Sequence, residues 1–227
     1  MLGGGLGTLG RKFLDYQNEL IGRLKPAEHQ LNDHDEATLN IGCVILAFFE
    51  QIYRAGHIFP PLDSLPKRAQ LSDLIATVQP DMIQDIGQLS TAFASDAKAL
   101  FKLNAVLNPT FQGSLSVGGA DADIIVDKTI IDFKCTSKVD AAALRSAALQ
   151  LLGYVLLDYD RKYGISDIMV YLPRQRGSWH MPLWQLVLPP ADVILPLSSQ
   201  NMVRVETMAE EILRERRKGF RKIVEML

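Results

Sequence analysis

The sequence predicts an α/β domain: a mixed central sheet over about residues 107–188, flanked by helices and preceded by a helical region. Three observations carry this. Residues 120–126 and 129–135 alternate apolar and polar side chains with a period of two and are separated only by Asp127 and Lys128, the mark of two strands joined by a tight turn. Residues 139–159, rich in Ala and Leu and poor in charge, suit a crossover helix packed on a sheet. Apolar runs at 168–172 and 179–188, turned around Arg174 to Gly177, then supply two more strands. A hairpin, a crossover and a second hairpin make a sheet of mixed sense.

Taken in order, the glycines of the first ten residues predict a flexible lead-in, and Phe13, Leu14, Leu20, Ile21 and Leu24 place a helix over 11–24, ahead of Pro26. Residues 32–36 offer several N-caps for a helix over 36–54 that is apolar almost all round, hence expected to be buried, and that ends at Gly56 before Pro60-Pro61. Two amphipathic helices are expected at 66–78 and 81–103. A short first strand is expected at 107–111, broken by Pro109. Past Pro189, Pro190 and Pro196, residues 202–226 form a last helix with Arg214, Arg216, Arg217, Lys218, Arg221 and Lys222 among glutamates. That helical face is either solvated or suited to tracking phosphates.

A two-residue turn at Asp127-Lys128 sets position 123 opposite 132 and position 121 opposite 134, all on one face, with Ile124, Val126, Ile131 and Phe133 on the other. An exposed hairpin side also alternates charges outward. Yet Asp is depleted in strands, and like charges set opposite one another destabilise the pair unless a cation lies between them. Hard divalent cations take oxygen ligands, commonly one or two carboxylates completed by substrate phosphate and water. Gln150 and Tyr154, four residues apart on the crossover helix, share a face, and a glutamine on so apolar a helix needs a partner.

Asp123, then Asp132-Phe133-Lys134 across the hairpin, resembles the PD-(D/E)xK nuclease signature. Gln150 and Tyr154 resemble the QxxxY motif of its RecB-like exonuclease branch. The similarity covers about residues 118–183. The signature's proline is missing, with Ala120 and Ala122 before the two aspartates. The resemblance implies a restriction-endonuclease-like fold in which Asp123, Asp132 and the Phe133 carbonyl bind Mg²⁺ or Mn²⁺ and Lys134 acts on the reacting phosphate or water. It also implies that Gln150 and Tyr154 hold the nucleophile or the DNA backbone. Gly42 and Glu50 are similar to the family's first motif, although Leu46 stands where a histidine is often found, so Glu50 is the implied further metal ligand and catalytic residue.

The expected organisation is a helical region over 1–105, carrying that first motif, and a nuclease-like core over 106–227. A formal net charge of −2 excludes a generally basic coat, so nucleic-acid contact has to be local. Two cysteines, Cys43 and Cys135, without close spacing, exclude a four-cysteine iron–sulfur site and fit a reducing compartment. No run is apolar and long enough to span a membrane, and residues 1–13 lack a signal-peptide core, so the cytoplasm is the expected location. The expected function is metal-dependent hydrolysis of nucleic acid, DNA ahead of RNA. The alternative is a non-catalytic nucleic-acid-binding or assembly module that keeps the hairpin for structure.

Overall fold

Asp127 adopts a left-handed backbone, φ 52°, a conformation that short polar residues such as Asp tolerate better than most. The chain thereby reverses in two residues. In a computed structural model of the chain, which describes residues 4–24, 31–96, 104–188 and 199–226, this turn joins β2 (Ile124–Val126) to β3 (Thr129–Phe133). Val126 lies opposite Thr129 and Ile124 opposite Ile131, the register that the sequence predicts. With β1 (Ala105–Leu107), β4 (Asp167–Leu172) and β5 (Gly177–Pro182) they form a sheet in the order β1-β2-β3-β4-β5. β3 and β4 are parallel and the other neighbours antiparallel, so the sheet is mixed and the class α/β.

The parallel return from β3 to β4 is bridged by α5 (Ala141–Leu157), started by Asp140, whose carboxylate accepts the N–H of Ala143. Its Ala147, Leu151 and Val155 bury against Ile125, Ile130, Ile168 and Val170 of the sheet. Ile124, Val126 and Ile131 project the other way and pack with Tyr171, Phe93 and Phe133. By the two-residue period Asp132 shares the side of Ile130, so it lies on the face that α5 covers. α6 (Leu183–Val187) and α7 (Ser199–Val224) complete this unit, α7 contributing Leu213 to the core under α5.

The chain divides into two compact units, 1–91 and 92–227, with the division inside α4 (Pro80–Asp96). The first unit holds α1 (Gly4–Leu24), α2 (Asp33–Ala55) and α3 (Leu71–Ile75) around Phe13, Ile45 and Leu74. α2 begins at Asn32, whose side chain accepts the N–H of Asp35, and ends on left-handed Gly56. No helix among the described residues is long and apolar enough to cross a membrane.

Several elements differ from expectation. α1 is helical from Gly4, and close packing favours small residues there: a Cβ on Gly10 would stand 3.2 Å from the Phe49 ring. α2 is not wholly buried, since a single small core covers one stripe of it and leaves Tyr53 89% exposed and Leu46 at the surface. The helix expected at 66–78 is only the one turn or so of α3, begun where the Asp73 carboxylate accepts the Gln70 N–H. β1 lies before Asn108 rather than across Pro109. β5 stops at Pro182, where Leu183 and Trp184, adjacent and both buried, cannot sit on one face of a strand and form α6 instead. The expected extension of α4 to residue 103 and the prolines at 189, 190 and 196 lie outside the described residues.

Candidate active site

The site forms where β3 leaves the sheet. Asp132 is 4% exposed, held between the sheet and α5. Burial pushes its carboxyl above the ordinary aspartate range, with nearby Asp123 acting in the same direction and Lys134 opposing both. Lys134 Nζ stands 2.8 Å from Asp132 Oδ2. The approach is too oblique for a directed hydrogen bond, and that buried oxygen has none. The contact is therefore a charge pairing that leaves lone-pair capacity on Oδ2.

Asp123 sits just before β2 and reaches across the hairpin, where its Oδ2 accepts the N–H of Phe133 at 2.6 Å. In a strand, the N–H and C=O of one residue point to the same edge. The Phe133 carbonyl therefore opens toward the Asp123 side, while the next N–H, of Lys134, turns the other way and donates to Tyr171 O at 3.0 Å. Asp121 does not join the ladder opposite Lys134, as the sequence suggests. Paired strand begins only at Ile124, and Asp121 forms an isolated bridge with Thr110.

From α5, Gln150 Oε1 accepts from Lys134 Nζ at 3.0 Å, and Gln150 Nε2 donates to the Tyr154 hydroxyl at 2.8 Å. Committing the amide nitrogen to Tyr154 turns the amide oxygen toward the lysine. Tyr154 is itself stacked on Phe111, ring centroids 5.5 Å apart. Asp132, Lys134, Gln150 and Tyr154 are thus one contiguous polar chain, with Asp123 beside it.

Glu50 belongs to the N-terminal unit, on the exposed side of α2, where Arg54 donates to its Oε1 from Nε at 2.9 Å and from Nη2 at 2.6 Å. The expected burial of its helix fails here for the reason already given. The basic run on α7 is largely committed as well. Arg217 is buried, with Nε on the Val155 carbonyl and Nη1 on Glu210, while Lys218 and Arg214 pair with Glu215 and Arg221 with Glu225.

Sequence reasoning missed the supports. The turn after β4 grips the segment following Lys134: Arg174 Nε donates to Cys135 O at 2.8 Å and Gln175 Nε2 to Thr136 O at 3.0 Å. Arg176, left-handed at φ 52°, chelates Asp96, which also accepts from the Tyr171 hydroxyl. The only sequence signal was a turn; partners 39 or more residues away leave no mark on local pattern.

No protein-family model matches this chain, and no curated protein or solved structure matches it either. The donor set is consistent with a hard divalent cation: a buried carboxylate oxygen without a directed donor, a second carboxylate and a strand-edge carbonyl, all oxygen. Among the described residues no three His, Cys, Asp or Glu side chains come together as a ready metal cluster. The third protein ligand would thus have to be the Phe133 carbonyl or a more distant group.

Proposed function

We propose that the chain is a divalent-metal-dependent nuclease of the PD-(D/E)xK kind, RecB-like and restriction-endonuclease-like in fold, that hydrolyses phosphodiester bonds of DNA ahead of RNA in the cytoplasm. The observation that supports this most is the direct connection of Asp132, Lys134, Gln150 and Tyr154, with Asp123 next to them, at one end of the sheet.

Asp123, Asp132 and the Phe133 carbonyl would hold Mg²⁺ or Mn²⁺. When bound, such an ion polarises the phosphate and lowers the pKa of the attacking water. Lys134 carries a donor to the mouth of the site, where it can turn from Asp132 to a phosphate oxygen or the water. Gln150, with its amide orientation set by Tyr154, steers that ammonium and limits its travel. The chain has only to exchange one charge contact of Lys134 for another. Glu50 would complete the metal shell only by leaving Arg54.

The alternative, a non-catalytic nucleic-acid-binding or assembly module, draws support from one observation: the Lys134 contact already offsets the buried charge of Asp132. The two readings separate when purified protein is incubated with linear and circular DNA, single-stranded DNA and RNA, with and without Mg²⁺ or Mn²⁺. The nuclease reading expects metal-dependent cleavage of at least one DNA. Absence of cleavage of every substrate with either metal would leave the binding module.

A further inference from the structure

The ladder that holds Lys134 ends at that residue. Phe133 lies opposite Tyr171 across the parallel pair, and Lys134 N–H donates to Tyr171 O at 3.0 Å. The next bond of a parallel ladder would run from the N–H of residue 173 back to Lys134 O. Position 173 is proline, which has no N–H to give. β4 stops at Leu172, and Pro173–Gln175 form a single 3₁₀ turn before left-handed Arg176. Backbone pairing therefore leaves the lysine at a strand end, where local opening costs least.

Side chains of that turn take over where the backbone stops. Arg174 Nε donates to Cys135 O at 2.8 Å, and Gln175 Nε2 donates to Thr136 O at 3.0 Å and to Ser137 O at 3.4 Å. Three successive carbonyls after Lys134 are thus held by two consecutive residues. The turn is fastened in its own right: Arg176 Nε donates to Asp96 Oδ2 at 2.9 Å, and the same oxygen accepts the Tyr171 hydroxyl at 3.0 Å. Asp132 and Gln150 steer the Lys134 ammonium, but where it can reach depends on where its backbone is held. A displacement of about 1 Å in a reacting group can cost on the order of 10²-fold in rate.

We propose, resting on the nuclease reading, that Arg174 is a positioning residue for Lys134, acting through the Nε donor on Cys135 O and not through its charge, with Gln175 beside it in the same role. Arg and Gln side chains carry a nitrogen donor the same number of bonds from Cα. Arg174→Gln therefore keeps the bond to Cys135 O and removes the cation, whereas Arg174→Ala removes both. Gln175→Glu sets an acceptor-only carboxylate against carbonyl oxygens. The test measures steady-state cleavage in Mg²⁺ by wild type and these three variants, with melting temperatures alongside. The substrate is whichever of linear, circular and single-stranded DNA the wild type cleaves fastest. The expected result for Arg174→Ala is a fall in kcat of about 10- to 100-fold, with KM and melting temperature little changed. Arg174→Gln should recover most of that loss, and Gln175→Glu should resemble Arg174→Ala. A rise in KM in both Arg174 variants would make the guanidinium a phosphate contact and overturn the proposal while leaving the nuclease reading in place. So would equal loss of kcat in the two, a wild-type kcat in Arg174→Ala and Gln175→Glu, or a loss of rate that tracks a fall in melting temperature. No cleavage of any DNA by the wild type would remove the nuclease reading and this proposal with it.

Discussion

Two buried aspartates, Asp132 and Asp158, stand in neighbouring regions of the same unit, and their surroundings differ in kind. Asp158, at the C-terminal end of α5, is 1% exposed, and its carboxylate accepts the backbone N–H groups of Lys162 at 3.1 Å and Tyr163 at 3.4 Å. Asp132 is nearly as buried, yet one of its oxygens meets only an oblique lysine and its neighbour across the hairpin is another aspartate. Burial raises both carboxyls above the ordinary range; at Asp158 the two backbone N–H donors oppose it and Asp160 adds to it, while at Asp132 only the Lys134 side chain opposes it and Asp123 adds to it. A buried charge surrounded by donors closes a turn. One left short of donors and set beside a like charge destabilises the fold, as expected where a ligand is to be received.

The largest expected effect that sharpens this contrast is on rate. Lys134→Ala should lower kcat by about 10²–10³, the worth of a donor aimed at charge that appears in the transition state, while calorimetry still detects Mg²⁺ binding. A rate within twofold of wild type would remove the lysine from the chemistry. Asp158→Ala should do the reverse, sparing cleavage but costing about 1–3 kcal/mol in chemical denaturation, because two backbone donors lose their acceptor. Equal stability there would mean the two aspartates do not differ as argued.

Glu50→Gln is a smaller test. Loss of an exposed pair with Arg54 should cost no more than about 0.5 kcal/mol of stability. Its effect on the Mg²⁺ concentration for half-maximal cleavage should be weaker than that of Asp123→Asn, since Arg54 already competes for the carboxylate. A larger effect than Asp123→Asn would make Glu50 the principal ligand.

A further effect is expected on stability at Asp132. Its raised carboxyl means that the folded chain binds the proton more tightly than the unfolded one, so its contribution to stability is fullest below the ordinary aspartate value of about 3.9 and is lost as pH rises through the raised value. At neutral pH the metal-free Asp132→Asn protein should therefore be more stable than wild type by a few tenths to about 1 kcal/mol, through relief of like-charge opposition. The gain should shrink as pH falls. Thermal melts at neutral and acid pH read it directly.

The hairpin was legible because two local rules agree on it: a two-residue turn and a period of two together leave one register. The Gln150 and Tyr154 pair was legible for the same reason, four residues on a helix being one face. What the sequence hid depends on distant partners. The exposure of Glu50 follows from how much core the first unit has to offer α2, and the end of β5 follows from Leu183 and Trp184 both finding burial. The hold of Arg174 and Gln175 on the segment after Lys134 joins residues 39 apart.

Cleavage of linear DNA in Mg²⁺ by the Asp132→Asn protein, with its melting temperature measured alongside, tests the central claim most directly. The replacement swaps a charged oxygen ligand for a neutral near-isostere. The expected result is no detectable cleavage with an equal or higher melting temperature, the pattern of a site that gives up stability for a ligand. Cleavage at the wild-type rate, or loss of activity that accompanies a fall in melting temperature, would contradict it.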